Sequence, residues 1–384
     1  MTSVSQLIPL LPDGYEDDCV NLGIIQRQRS IKSPSDLMML ALFHLLNGCT
    51  LMEISEVGRL TNIGEFSDVA FMKKFSQCSE WFQRISAKLM QGVVAEYPKP
   101  DYLNGYRVIA YDASDVTEKG RSGRVFSLHY GIDIFSMSSA QYRITDHSVG
   151  ETLCNFTLSS GDLVIADRVY GTLRGITHCI ANGADYIIRL KSGAFHIFDS
   201  QGDRVDLLGQ FADLRPEECK DIFGYAIAAD GTKVPIRVCV KRKSEDAIEA
   251  TRKRLAKKIS EKQIKISELA KKFNEYIVVV TSLRSTISAE DVLETYRLRW
   301  QVECYFKRLK SIMDFGEMPK KREDSILAWL NGKIMVALMI ELLLSNRSFS
   351  PSSVYGYQEE YMEGDKDDGT DYEDWFALCR FTAT

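Results

Sequence analysis

DLVIADRVYG, Asp162 to Gly171, is an apolar run that ends abruptly in charge. Four consecutive apolar residues suit a strand buried on both faces, as in the middle of a parallel sheet. Asp167 follows directly, where packing alone would not choose a carboxylate. YRVIAYDAS (106–114) repeats the pattern, with Asp112 directly after VIAY. An acid past a strand can also cap the next helix, and Asp167 closely precedes a helical segment. Two such acids on strands that can be neighbours have a second reading, because ligands of α/β sheets bind at strand ends. Asp115, three residues after Asp112, is a rival. Asp112 is preferred because it follows the strand directly.

Outward from these strands the chain reads as mixed α/β. Residues from about 33 to 95 are helical in pattern, starting at Ser33-Pro34-Ser35-Asp36. LMMLALFHLL is apolar almost all round, so His44 within it reads as a satisfied core histidine. VFSLHYGIDIF (125–135), AQYRITDH (140–147), ADYIIRLK (184–191) and EYIVVVTSL (275–283) are strand-like, with a helix over Gly171 to Asn182. AFHIFD, IFGYAIAA and KVPIRVCVKR form a β-rich block that interrupts the sheet, followed by a basic helical stretch over 245–273. A long helix begins at Ser288, capped with Asp291, and an apolar helix covers about 325–345. The expected division is a helical domain over 1–100, whose bundle either grips DNA or only packs, a core over 101–195 and 275–350, an insertion over 196–274, and an acidic, disordered tail over 351–384.

Composition is that of a soluble globular protein, 45% hydrophobic and 26% charged. The run from Ile334 to Leu344 contains Glu341 and is too short to span a bilayer. No secretion signal is evident, and nine scattered cysteines suit reduced thiols in a cytosolic protein. The net charge of −5 is uneven. Residues 351–384 carry nine acids against Lys366 and Arg380, a balance of −7, which leaves +2 for residues 1–350. Lys241 to Lys272 holds twelve bases against five acids, either a face that tracks DNA or a merely solvated one.

YRLRWQVECYFKRLK, Tyr296 to Lys310, adds a third carboxylate. On one continuous helix Tyr296, Arg299, Glu303 and Lys310 fall within about a 60° sector. Taken alone, this is a charged face with Arg299–Glu303 and Glu303–Lys307 pairs. Leu298, Val302, Tyr305, Phe306 and Leu309 supply another face that can pack on a sheet. Asp112, Asp167 and Glu303 would together suit two Mg²⁺ ions, with Mn²⁺ as a substitute. Such a pair serves in-line displacement at a phosphodiester. Arg299 and Lys310 would meet phosphate oxygens, and Trp300 and Tyr296 would stack on a displaced base.

These motifs resemble the DDE-class insertion-sequence transposases. Tyr296-x₂-Arg299-x₃-Glu303-x₆-Lys310 is similar to their YREK signature, ADRVYG (166–171) to their D-R-G-Y motif, and YDAS (111–114) to their first-Asp motif. The resemblance runs colinearly over about residues 20–345. It implies an RNase H-like core, a mixed sheet flanked by helices, with Asp112, Asp167 and Glu303 as the metal-binding triad. A β-rich insertion then lies between the second Asp and the Glu. It also implies cut-and-paste transposition: cleavage at the element's ends, then strand transfer of the 3′-hydroxyl into target DNA. Arg168 and Tyr170 would line the site, and Tyr296, Arg299 and Lys310 would touch end DNA. Implied partners are double-stranded DNA, both terminal inverted repeats and target, and further copies of the chain; no membrane is implied. Val169 stands where the motif usually has Gly, and a β-branched residue disfavours positive φ there. The competing readings are a catalytically impaired DNA-binding protein descended from a transposase, and a structure-specific nuclease without strand transfer.

Overall fold

The computed structural model describes residues 4–25, 31–91, 98–118, 125–263, 265–312, 315, 317–318 and 322–345. The acidic tail of residues 351–384 lies outside them. The chain opens with helices α1 (Val4–Leu7), α2 (Tyr15–Asn21), α3 (Pro34–Leu46), α4 (Leu51–Leu60), α5 (Asp68–Phe75) and α6 (Ser79–Met90). Strands β1 (Arg107–Glu118), β2 (Val125–Asp133), β3 (Ser138–Asp146) and β4 (Asp162–Ala166) follow, then α7 (Leu173–Ala181), β5 (Asp185–Arg189) and α8 (Leu207–Phe211). β6 (Cys219–Ile227), β7 (Lys233–Arg242), α9 (Glu245–Lys262), α10 (Glu268–Phe273) and β8 (Tyr276–Thr281) precede α11 (Ala289–Arg297) and α12 (Trp300–Ile312). A two-residue strand β9 (Glu317–Met318) and α13 (Glu323–Ser345) complete the described elements.

One mixed sheet organises these parts, in the order β3-β2-β1-β4-β5-β8-β7-β6, with β9 against β1. β1, β4 and β5 are parallel; β2, β3, β8, β7 and β6 join antiparallel. Strand alternation sends Val108, Ala110, Leu163, Ile165 and Ile187 into one core, with the N-terminal helices, α11, α12 and α13. Ile109, Tyr111, Val164, Ala166 and Ile188 enter a second core on the opposite face, with Ile176 and Cys179 of α7, Phe211 of α8 and Phe273 of α10. Both faces are covered, which is why the central strands read as unbroken apolar runs. This is an RNase H-like α/β architecture.

The β-rich segment does not interrupt this sheet; its β6–β7 hairpin extends it, because Val240 of β7 pairs with Val278 of β8. AFHIFD contributes only bridges from Phe198 to Arg204 and Tyr225. The long helix expected from Ser288 breaks at Leu298-Arg299, where Arg299 N–H bonds to Tyr296 O at 3.0 Å and Val302 N–H to Arg299 O at 3.2 Å, both i to i−3. α11 packs against the β5, β6 and β7 part of the sheet and α12 against β1 and β2, so the bend redirects the chain from one part to the other.

α13 is long and apolar enough to cross a membrane on length and composition, but 72% of its most apolar stretch is buried inside the protein. It lies between the N-terminal helices and the sheet. Gly332 lets Leu45 and Phe82 approach its backbone. Asn331, fully buried, donates to Ser79 Oγ at 3.0 Å and accepts from Tyr142 Oη at 3.1 Å, tying the helical layer to β3. His44 is a core residue, its Nδ1 2.6 Å from Cys49 O and its ring edge-on to Phe71 and Phe75. The helices of residues 1–100 therefore share a core with the sheet.

Candidate active site at the sheet edge

β1 and β4 run parallel with Tyr111 opposite Ala166, so the next residue on each is a carboxylate. β4 stops there, while β1 continues alongside β2, with Asp112 opposite Tyr130. Asp112 and Asp167 thus emerge side by side where the parallel pairing ends, roughly one strand spacing of ~4.8 Å apart. Asp112 shares its side of β1 with Val108 and Ala110, the side that α12 covers. Asp115, of opposite parity, faces the other way; it accepts from Ser127 Oγ at 2.7 Å and lies 3.6 Å from His147 Nδ1. The geometry therefore groups Asp112, not Asp115, with the helix that carries Glu303.

Glu303 stands in the first turn of α12, and Tyr305, two residues on, stacks over Tyr130 of β2 with ring centroids 4.3 Å apart. That contact anchors the helix beside the acid pair. The break in the preceding helix places Arg299 between two of the acids. Its guanidinium pairs with Glu303 and lies 3.8 Å from the Asp112 carboxylate. Burial works against this charge, but Tyr296, Glu303 and Asp167 together hold Arg299 above the usual guanidinium value. Asp112 is pushed up to about 7 by burial; the Ala113 N–H and Arg299 oppose the shift, and Glu303 and Asp167 add to it. Glu303 and Asp167 thus both act on Asp112.

Among the described residues, no three Asp, Glu, His or Cys side chains already stand as a formed metal-ligand group. The donor chemistry nevertheless suits a hard divalent cation: three oxygen donors on rigid elements, one of them carrying a carboxyl whose ionisation is suppressed. Arg299 supplies the positive charge there now.

The other expected site residues divide. Arg168 is exposed, and Trp300 is 41% exposed with Lys307 Nζ 5.8 Å from its ring centre. Lys310 is exposed on α12. Tyr296 is only 7% exposed and lies beneath Arg299, so its ring offers no free face for a base; the helix break turns it inward. Tyr170 is buried with its hydroxyl unpartnered, and burial, then Asp112, Glu151 and Asp167, raise its pKa. Glu151, absent from the sequence reading, also has its pKa raised, by burial and then by Asp115 and Asp167. It lies in a loop, where no periodicity marks it.

Val169 is accommodated without strain. Positive φ among the described non-glycine residues is confined to Asn62, Met137, Glu217 and Gln263. The turn closes through Tyr170 N–H to Asp167 O at 3.0 Å, with Val169 half exposed at its tip. Gly171 is the constrained position: a Cβ there would lie 2.6 Å from the Arg189 carbonyl oxygen. Gly171→Ala is expected to cost about 1–3 kcal/mol, read as a lower midpoint in urea denaturation. An unchanged midpoint would mean that the β4 turn does not press on β5.

Known proteins resemble this chain over most of its length. Residues 103–339 match the family described as Transposase DDE domain. InsL of insertion sequence element IS186A from Escherichia coli strain K12 is 25% identical over 349 residues, covering 89% of this chain and 94% of its own. The transposase for insertion sequence element IS421 of Escherichia coli is 25% identical over 350 residues, with the same coverage. The transposase for insertion sequence element IS231B of Bacillus thuringiensis subsp. berliner is 28% identical over 200 residues, 48% of this chain and 42% of its own.

Proposed function

This chain belongs to the Transposase DDE domain family, and from that premise we propose that it is a cut-and-paste DNA transposase of the YREK type. The observation that carries the reading is the acid pair at the ends of two adjacent parallel strands, faced by Glu303 and Arg299 across the β1 side of the sheet. Asp112, Asp167 and Glu303 would hold Mg²⁺ or Mn²⁺, which supplies activation of the attacking oxygen and stabilisation of the leaving one.

Arg299 has two roles open to it. With the carboxylates unneutralised, it balances them. With cations and DNA present, its planar fork is free to take a phosphate in two parallel hydrogen bonds. Arg168, exposed beside Asp167, meets the strand from the β4 side, and Lys310 does so as a point charge further along α12. The Tyr170 hydroxyl, buried without a hydrogen-bond partner, would donate to a substrate oxygen brought to the acid pair. Trp300 presents the accessible ring on which an unpaired base can stack. Further copies of the chain would assemble on the paired ends.

Incubating the purified protein with Mg²⁺ or Mn²⁺ and DNA bearing its element's terminal repeats tests this. Nicking at the ends, followed by joining of the 3′-hydroxyl to a second duplex, is expected. Cutting without joining would leave a nuclease. Specific binding with no metal-dependent cutting would leave a DNA-binding protein only.

A further inference from the structure

The charged edge of the sheet continues past the acids. β5 and β7 run in the same sense as β4, so the residues ending each of them lie along one edge. The order along it is Asp112 after β1's pairing with β4, Asp167 and Arg168 after β4, Arg189 ending β5, then Lys243 just past β7. From β4 to β7 is three strand spacings, about 14 Å. α9 starts here and turns Arg254 back towards Lys243, whose Nζ donates to Thr251 Oγ1 of the same helix at 3.1 Å. Burial, then Arg189, Arg254 and Arg168, push the Lys243 amine down to about 8.

Arg168, Arg189 and Lys243 share this edge with Asp167, while the acids around β7 and α9 are engaged elsewhere. Glu217 pairs with Lys241, Glu245 with Arg242 at 2.9 Å, Glu249 with Lys253 at 2.8 Å and Glu275 with Arg252 at 2.6 Å. Among the described residues, Arg168, Arg189 and Lys243 form no ion pair. Self-repulsion of this kind persists where an external anion relieves it.

We infer that Arg168, Arg189 and Lys243 form a phosphate-binding cluster that holds the DNA backbone a few nucleotides from the acid pair. This rests on the transposase reading and deepens it. The basic helical stretch thereby contributes through the lysine just before it, more than through its solvated face, where Lys253 is already paired.

The test uses the full chain, a fluorescent duplex carrying the element's ends, and anisotropy titrations at rising KCl. Arg189→Gln and Lys243→Gln together should flatten the slope of log K against log salt by about one to two contacts, at ~0.9 per phosphate. The same double variant, free of DNA, should unfold at an equal or higher temperature, because like charges have been removed. An unchanged slope overturns the cluster, and so does lost affinity accompanied by a lowered unfolding temperature, which would mark a structural role. A wild-type chain with no affinity for the duplex would instead overturn the transposase reading itself.

Discussion

Glu303→Gln is expected to lower metal-dependent cleavage at element ends by at least about 10³-fold while leaving DNA affinity intact or slightly raised. The substitution keeps the side chain's shape and removes its charge. On the proposed role of Glu303 as a metal ligand, losing its charge would forfeit several kcal/mol of transition-state stabilisation, and each ~1.4 kcal/mol is tenfold in rate. The fold tolerates it: the Glu303 side chain is about a third exposed and its pair with Arg299 is within one helix segment. Affinity holds because one negative charge has left a surface that meets phosphates. Cleavage within tenfold of wild type would remove Glu303 from the chemistry.

Asp112→Asn should stabilise the metal-free protein at pH 8. The Asp112 carboxyl is raised from 3.8 to about 7 in the folded chain, chiefly by burial. Below the unfolded value both states hold the proton and nothing is lost. Between the two values the native state keeps a proton that the unfolded chain has released, so stability falls as pH rises. Above about 7 the full penalty is present, up to about 4 kcal/mol for a shift of this size. Asn carries no such penalty, so its unfolding temperature should exceed that of wild type by several degrees at pH 8 and match it near pH 3.5. Millimolar Mn²⁺ should narrow the gap, stabilising wild type by about 2–3 kcal/mol at a hundredfold excess over Kd and leaving Asp112→Asn unmoved. Equal stability of the two proteins at pH 8, or an equal response to Mn²⁺, would sink this account.

The central strands and the two strand-end acids were legible because burial on both faces leaves an apolar run, and a carboxylate at its end has no packing reason. Which strands become neighbours was not legible, since pairing is nonlocal; the β6–β7 hairpin reads as a separate block although it extends the sheet through β8. The break at Leu298-Arg299 was invisible too, as no Pro or Gly marks it. Its cost to the reading was Tyr296, placed on an accessible stripe but buried beneath Arg299. Arg189 was within reach. It ends ADYIIR as Asp167 ends LVIAD, and the rule applied to acids holds equally for bases.

The central position of α13 bears on how the chain comes into being. Trp81, Phe82 and Leu45 belong to segments made before the sheet, yet the surface they close upon includes Trp329, Ile334 and Met335, made after all its strands. A ribosome must therefore deliver the chain through α13 before its first helices find their final neighbours. Nascent chains interrupted ahead of residue 323 would display those aromatic rings to water, making them ready substrates for chaperones and proteases.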